Sequence, residues 1–186
     1  MAFSPDGEQI LTGSLDGMAI LWSRYGETTV EFSHEDRIYS TAFSPDGEQI
    51  LTGSTDGTAT LWESNGEKIE FSHNSPVYSV AFSPDGSQIL TGSRDGQATL
   101  SSRDGERISQ FRHGAEVYGV AFSPDGSQIL TGSRDGQATL WSRDGQQIAQ
   151  FRHWAEVYSV AFSPNGSQIL TGSRDGQATL WSRDGQ

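Results

Sequence analysis

The sequence predicts an all-β fold of small antiparallel sheets stacked on one another, and three observations carry that prediction. The string Ala-Phe-Ser-Pro-Asp/Asn-Gly occurs five times, with its Phe at positions 3, 43, 82, 122 and 162. Gly makes up 22 of 186 residues, against roughly 7% in average proteins, and helices tolerate Gly poorly. Apolar residues are only 33% of the chain, against roughly 45–50% on a count that includes Gly, which leaves material for thin cores only.

The repeat supplies the elements. Its spacings are 40, 39, 40 and 40, and residues 117–146 match residues 157–186 at 28 of 30 positions, differing only at Gly119/Ser159 and Asp125/Asn165. In one unit, Val117 to Phe122 is rich in β-branched and aromatic residues and reads as a strand. Ser123-Pro124-Asp125-Gly126 follows as a turn, with Pro presetting φ and Gly supplying the positive φ. Gln128 to Gly132 is a second strand. Ser133-Arg134-Asp135-Gly136 reads as a hairpin connection with Asp-Gly at positions of positive φ. Gln137 to Trp141 is a third strand, Ser142-Arg143-Asp144-Gly145 a similar turn, and Ile148 to Phe151 a fourth strand. A four-stranded meander this small cannot bury both faces alone, so neighbouring sheets must stack. Trp22 to Phe32 and Trp141 to Phe151 are ten residues apart, whereas Trp62 to Phe71 is nine. The missing residue is expected around Ile69-Glu70-Phe71. A one-residue slip flips side chains between faces, so the fourth strand is expected at the sheet edge.

Composition excludes several function classes. Twelve Lys and Arg against 24 Asp and Glu give a net charge of −12, the wrong sign for nucleic acid or an anionic membrane surface. With no Cys, disulfides, thiolate metal sites and a cysteine nucleophile are out. No apolar run approaches the roughly 18 residues of a membrane span. Met1-Ala2-Phe3-Ser4-Pro5-Asp6-Gly7 has neither the basic nor the apolar region of a signal peptide, so a soluble, cytoplasmic protein is expected.

Ser-x-Asp-Gly before the third strand and Leu-Trp at its end, at a period near 40, resemble the WD-repeat β-propellers, in the highly repetitive bacterial form. The resemblance covers the whole chain. It implies an all-β, WD-type β-propeller of about five four-stranded antiparallel blades, the last lacking its outer strand. The repeats run approximately 1–33, 34–72, 73–112, 113–152 and 153–186. It further implies a hydrogen-bonded tetrad of His, Ser/Thr, Asp and Trp inside each blade. The matching residues are His34, Thr52, Asp56 and Trp62; His73, Thr91 and Asp95; His113, Thr131, Asp135 and Trp141; and His153, Thr171, Asp175 and Trp181. Thr12, Asp16 and Trp22 match in the first repeat, whose His would precede Met1. The third repeat departs from the pattern, with Ser101 in place of Trp, and a cavity or wet pocket is expected there.

No metal, cofactor or catalytic centre is expected. The His residues recur one per sheet, the Asp-Gly turns offer one carboxylate each where calcium loops offer several, and a Ser/His/Asp geometry repeated four times behaves as structure. Two features stay open between local structure, as a repeat-boundary packing contact and solvated loop ends, and partner binding. Trp154 stands in a connecting loop where other repeats have Glu35, Asn74 and Gly114, and aromatics are favoured interface anchors. Arg94, Arg134 and Arg174, with Glu116 and Glu156 nearby, form a ring of charges on loops that serve as a docking face in the resembled family. The reading is a non-catalytic scaffold that binds a protein partner through its loop faces. The alternative is a multivalent, lectin-like propeller with equivalent sites between blades. Five copies of strands one to three but four of strand four also leave open a five-bladed ring, a fragment of a longer array, or self-association through open propeller ends.

Overall fold

The computed structural model of the chain describes residues 1–63 and 67–183. Nineteen strands lie among the described residues, and none of those residues is helical, so no helix there is long and apolar enough to cross a membrane. The first blade comprises β1 (Ala2–Phe3), β2 (Gln9–Gly13), β3 (Met18–Ser23) and β4 (Thr28–Ser33). The second comprises β5 (Ile38–Phe43), β6 (Ile50–Ser54), β7 (Thr58–Trp62) and β8 (Lys68–Ser72). The third comprises β9 (Val77–Phe82), β10 (Gln88–Ser93), β11 (Gln97–Ser102) and β12 (Arg107–Arg112). The fourth comprises β13 (Val117–Phe122), β14 (Gln128–Ser133), β15 (Gln137–Ser142) and β16 (Gln147–Arg152). The fifth shows β17 (Val157–Phe162), β18 (Gln168–Ser173) and β19 (Ala178–Ser182). Each blade is an antiparallel meander in chain order. The first strands β5, β9, β13 and β17 pack side by side from blade to blade, and β4, β8, β12 and β16 end their sheets. The expected turn after β19 runs into residues 184–186, outside the described residues.

The turns explain the Gly content. In the Ser-Pro-Asp-Gly turn, Gly126 N–H donates to Ser123 O at 2.8 Å. The buried Ser123 hydroxyl donates to Asp125 Oδ1 at 2.6 Å and accepts from Gln128 N–H at 2.9 Å. At the equivalent Asp85, the hydroxyl of Ser83, the amide of Ser87 and the hydroxyl of Ser87 hold the carboxyl down to about 2. The hairpins differ from the expected form. Gly136 is at φ 83°, but among the described residues none other than Gly has positive φ, so Asp135 does not. Gly136 N–H donates to Ser133 O and Gln137 N–H to Asp135 Oδ1. The connection is therefore a type I turn followed by a left-handed Gly, the three-residue form. The Asp carboxylate caps it from a right-handed position, so only Gly needs the positive φ.

The nine-residue spacing in the second blade also resolves differently. In the fourth blade Leu140 pairs with Ala149 and Trp141 with Gln147, so Ile148 is an extra residue bulged out of β16. The second blade pairs Leu61 with Ile69 and Trp62 with Lys68, with no bulge. The deletion removed the bulge residue ahead of Ile69. Phe71 keeps its place opposite Ala59, as Phe151 does opposite Ala138, and no face is flipped. Bulges absorb one residue without moving the rest of the register.

The core is a series of layers between blades. Leu130, Ala138, Leu140 and Phe151 on one face of the fourth blade meet Val157, Val160 and Ile169 of the fifth. All are buried, and burying each large side chain contributes about 1.5–3 kcal/mol. Equivalent layers join the other neighbouring blades. The layer depends on a Gly in each second strand. A Cβ on Gly132 would stand 2.8 Å from Val160 Cγ1 and 2.9 Å from Val157 Cγ1, closer than packed atoms come. On the fifth blade the matching face is uncovered, with Leu170 46% and Leu180 57% exposed where Leu130 and Leu140 are 0%. Gly172 there has only Ser159 Cβ near it, at 3.7 Å. Gly132→Ala is therefore expected to destabilise the chain by about 1–3 kcal/mol through overpacking, and Gly172→Ala to stay within about 0.5 kcal/mol. Chemical denaturation of the two variants checks this; equal losses would contradict the close-approach account.

Candidate functional site

Two sets of residues were singled out from the sequence, and the fold places them at different depths. The first set lies inside the blades. In the second blade, His34 Nδ1 is 2.8 Å from Asp56 Oδ2, His34 Nε2 is 2.6 Å from Thr52 Oγ1, and Trp62 Nε1–H donates to Thr52 Oγ1 at 2.8 Å. The fourth blade repeats this with His113–Asp135 at 3.2 Å, His113–Thr131 at 2.6 Å and Trp141–Thr131 at 2.8 Å. The fifth has His153–Asp175 at 3.2 Å, His153–Thr171 at 2.7 Å and Trp181–Thr171 at 2.8 Å. With the proton on Nδ1, one chain runs from indole N–H to hydroxyl to imidazole to carboxylate. Each Trp ring also stands edge-on to its His, at centroid distances of 5.6–5.8 Å. Burial pushes the Asp135 carboxyl up, but His113 and the amides of Gly114 and Gln137 outweigh it and hold it below its ordinary value. The carboxylate is thus ionised at neutral pH and tied to the blade.

The first blade keeps only the Trp22–Thr12 bond of 2.8 Å, with Asp16 capping Met18 N–H. The third blade departs most. His73 Nε2 lies 2.8 Å from Thr91 Oγ1, but Asp95 forms no hydrogen bond to His73 and, among the described residues, its carboxylate accepts only from Gln97 N–H. Burial lowers the His73 pKa below its ordinary value, and Asp95 opposes this only through space. Around Ser101 lies a largely polar cavity of about 400 Å³.

The second set lies at one end of the blades, where two kinds of loop meet. Arg134 N–H donates to Glu116 O and Arg174 N–H to Glu156 O, both at 2.9 Å. The side chains pair as well, Arg134–Glu116 and Arg174–Glu156 each at 2.8 Å. Arg94 stands at the same place on the third blade, but Pro76 replaces the glutamate there and Arg94 has no carboxylate partner among the described residues. Arg37 occupies the glutamate position of the second blade, opposite Thr55. Trp154 is on the same set of loops and is 96% exposed, held only by its backbone N–H to Asp175 Oδ2 at 3.3 Å.

The candidate surface residues that sequence reasoning missed are four tyrosines. Tyr39, Tyr78, Tyr118 and Tyr158 are each skipped in the pairing of first and second strands, as bulges that turn them out of the sheet. Their rings form a row, with centroids 5.5, 5.3 and 5.2 Å apart, and they alone line a shallow recess. Tyr39 and Tyr158 are about half exposed. Burial pushes the Tyr78 and Tyr118 hydroxyls up; Arg94 is the strongest opposing charge at Tyr78, and Arg134 opposes at Tyr118. The signal was in the sequence, a Tyr after the Ile or Val that opens each first strand, but strand alternation gives no sign of a bulge.

A family model described as "IFT122 first beta-propeller" matches residues 1–186. The chain belongs to this β-propeller family. No curated protein matches it. In this propeller the tetrad hydrogen bonds run within single blades, and the tyrosine row lies next to the arginine-bearing loops. Among the described residues of this propeller, no three His, Asp or Glu gather to hold a metal ion.

His113→Ala, which takes one partner each from Thr131 and Asp135, is expected to cost about 1–3 kcal/mol of stability. His73→Ala, which takes a partner from Thr91 alone, is expected to cost less. Urea unfolding of the pair checks the ordering, and a larger loss at His73 would contradict it.

Proposed function

We propose that the chain is a non-catalytic scaffold that binds a protein partner through the loop face carrying Tyr39, Tyr78, Tyr118 and Tyr158, with Arg94, Arg134 and Arg174, Glu116 and Glu156, and Trp154. The observation that carries the reading is the tyrosine row. Four adjoining rings, packed edge-to-face and tilted, present a large, amphipathic surface at little entropic cost, the chemistry of interface hot spots. Burying their apolar faces supplies affinity.

The charges beside the row set its preference. Arg134 and Arg174 are neutralised by Glu116 and Glu156, whereas Arg37 and Arg94 keep their charge available. Arg94 offers a positive charge beside the row on a chain of net charge −12, so the row favours an extended peptide carrying an acidic side chain next to an aromatic or apolar one. The carboxylate would be taken by Arg94 and the apolar residue would lie on Tyr78 and Tyr118. Paired and unpaired arginines along one row give such a peptide a direction and a register.

A displayed peptide library selected on the wild-type chain tests this. Selected peptides are expected to be enriched in Asp or Glu beside apolar residues. They are expected to lose about tenfold or more in affinity to Tyr118→Ser and Arg94→Ala. Selected peptides that bind both variants as tightly as wild type would overturn the reading.

A further inference from the structure

The cavity at Ser101 lies at the position where the other blades carry a tryptophan. In the fourth and fifth blades the equivalent position is filled by Trp141 and Trp181. Their rings pack 5.6 and 5.4 Å from Phe111 and Phe151 of the preceding blade. The matching ring of the second blade, Phe71, lines the cavity beside His73, Thr99, Ser101 and Arg107. We propose that this cavity is a binding site for a planar bicyclic heteroaromatic of the indole class, held as Trp62, Trp141 and Trp181 are held in their own blades.

Four features support the assignment. The first is an unused acceptor: Thr131 and Thr171 each accept an indole N–H at 2.8 Å, and Thr91 accepts none. The second is a stacking surface on each side, Phe71 across the blade interface and the edge of His73, in the places where Phe111 and His113 contact Trp141. The third is a cation at the mouth. Arg107 pairs across from Ser101 as Lys68 pairs across from Trp62, and Lys68 Nζ lies 5.8 Å from the Trp62 ring centroid. Arg107 is placed to cover a bound ring by the same cation–π contact. The fourth is a buried acceptor with no partner among the described residues, Oε1 of Gln97, a residue of the cavity wall. Buried polar atoms are normally satisfied, so the wall holds one acceptor that the described chain leaves unmet. The polar lining is no obstacle, because Trp141 is only 8% exposed amid the same residue types. A volume of about 400 Å³ falls within the roughly 300–1,000 Å³ of small-molecule sites.

Thermal unfolding of the wild-type chain in indole tests the proposal, with Ser101→Trp as the filled-site control. Wild type is expected to gain roughly 3–6 °C at a tenfold excess over Kd. Ser101→Trp is expected to melt higher without ligand and to gain nothing from indole. N-methylindole, which has no N–H, is expected to bind wild type at least tenfold more weakly, a comparison that needs no variant. Indole and N-acetyltryptophanamide carry the same ring, and their relative affinities show whether the natural source is a free small molecule or a tryptophan on a peptide. No shift with indole, an equal shift in Ser101→Trp, or equal affinity for N-methylindole would each overturn the assignment.

Discussion

Everything in this molecule depends on one contact, the face of one small sheet against the face of the next. A meander of four five- or six-residue strands has too little apolar surface to fold alone, and its Leu, Ala and Phe residues find cover only on the Ile and Val of a neighbour. That dependence explains the composition. The chain needs two thin apolar faces per unit and can give the rest to turns, which is why a fold with a continuous core contains so few apolar residues. It also explains the invariant Gly of the second strand within this chain. The two Val side chains of the next blade occupy the space a Cβ would need, so the glycine sets how closely blades approach. On the fifth blade, where no described blade covers that face, Leu170 and Leu180 stand exposed.

The tetrads solve a second problem set by the first. Stacking positions the sheets but leaves the connecting loop and the hairpin turn at one end of each blade to be fixed relative to each other. The indole, hydroxyl, imidazole and carboxylate link the third strand, the second strand, the incoming loop and the turn in one line of hydrogen bonds. The loops that carry Arg134, Glu116 and Trp154 are anchored this way, so the braces inside the blade define the geometry of the face outside it. In the third blade the line is cut at both ends, by the loss of the Trp and the release of Asp95, and a cavity opens where the ring would be.

Much of this was legible in the sequence. Strand count, order and stacking followed from the forty-residue period and the Ser-x-Asp-Gly turns, and the residues that meet inside each blade stood at fixed spacings of 22, 18 and 6. Ser101 was visible as the one break in the Leu-Trp pattern. What was hidden were the bulges. A residue skipped in pairing leaves no mark on strand alternation, so the outward turn of Tyr39, Tyr78, Tyr118 and Tyr158 escaped notice, as did the bulge whose loss shortened the second repeat. The release of Asp95 from His73 was hidden too, because the spacing between them is the same as in intact blades. Such features depend on backbone geometry and on a neighbour in space, and neither is written in the order of residues.

The central claim is that each blade is held by its neighbours' faces and locked by its own tetrad. Native-state hydrogen exchange compares a locked blade with an unlocked one inside a single molecule. The strands β10 and β11 of the third blade, residues 88–102, share nearly the whole sequence of β14 and β15 of the fourth, residues 128–142. Both blades are flanked on both sides. The account predicts faster exchange at Leu90, Thr91 and Leu100 than at Leu130, Thr131 and Leu140. Equal protection in the two blades would contradict it.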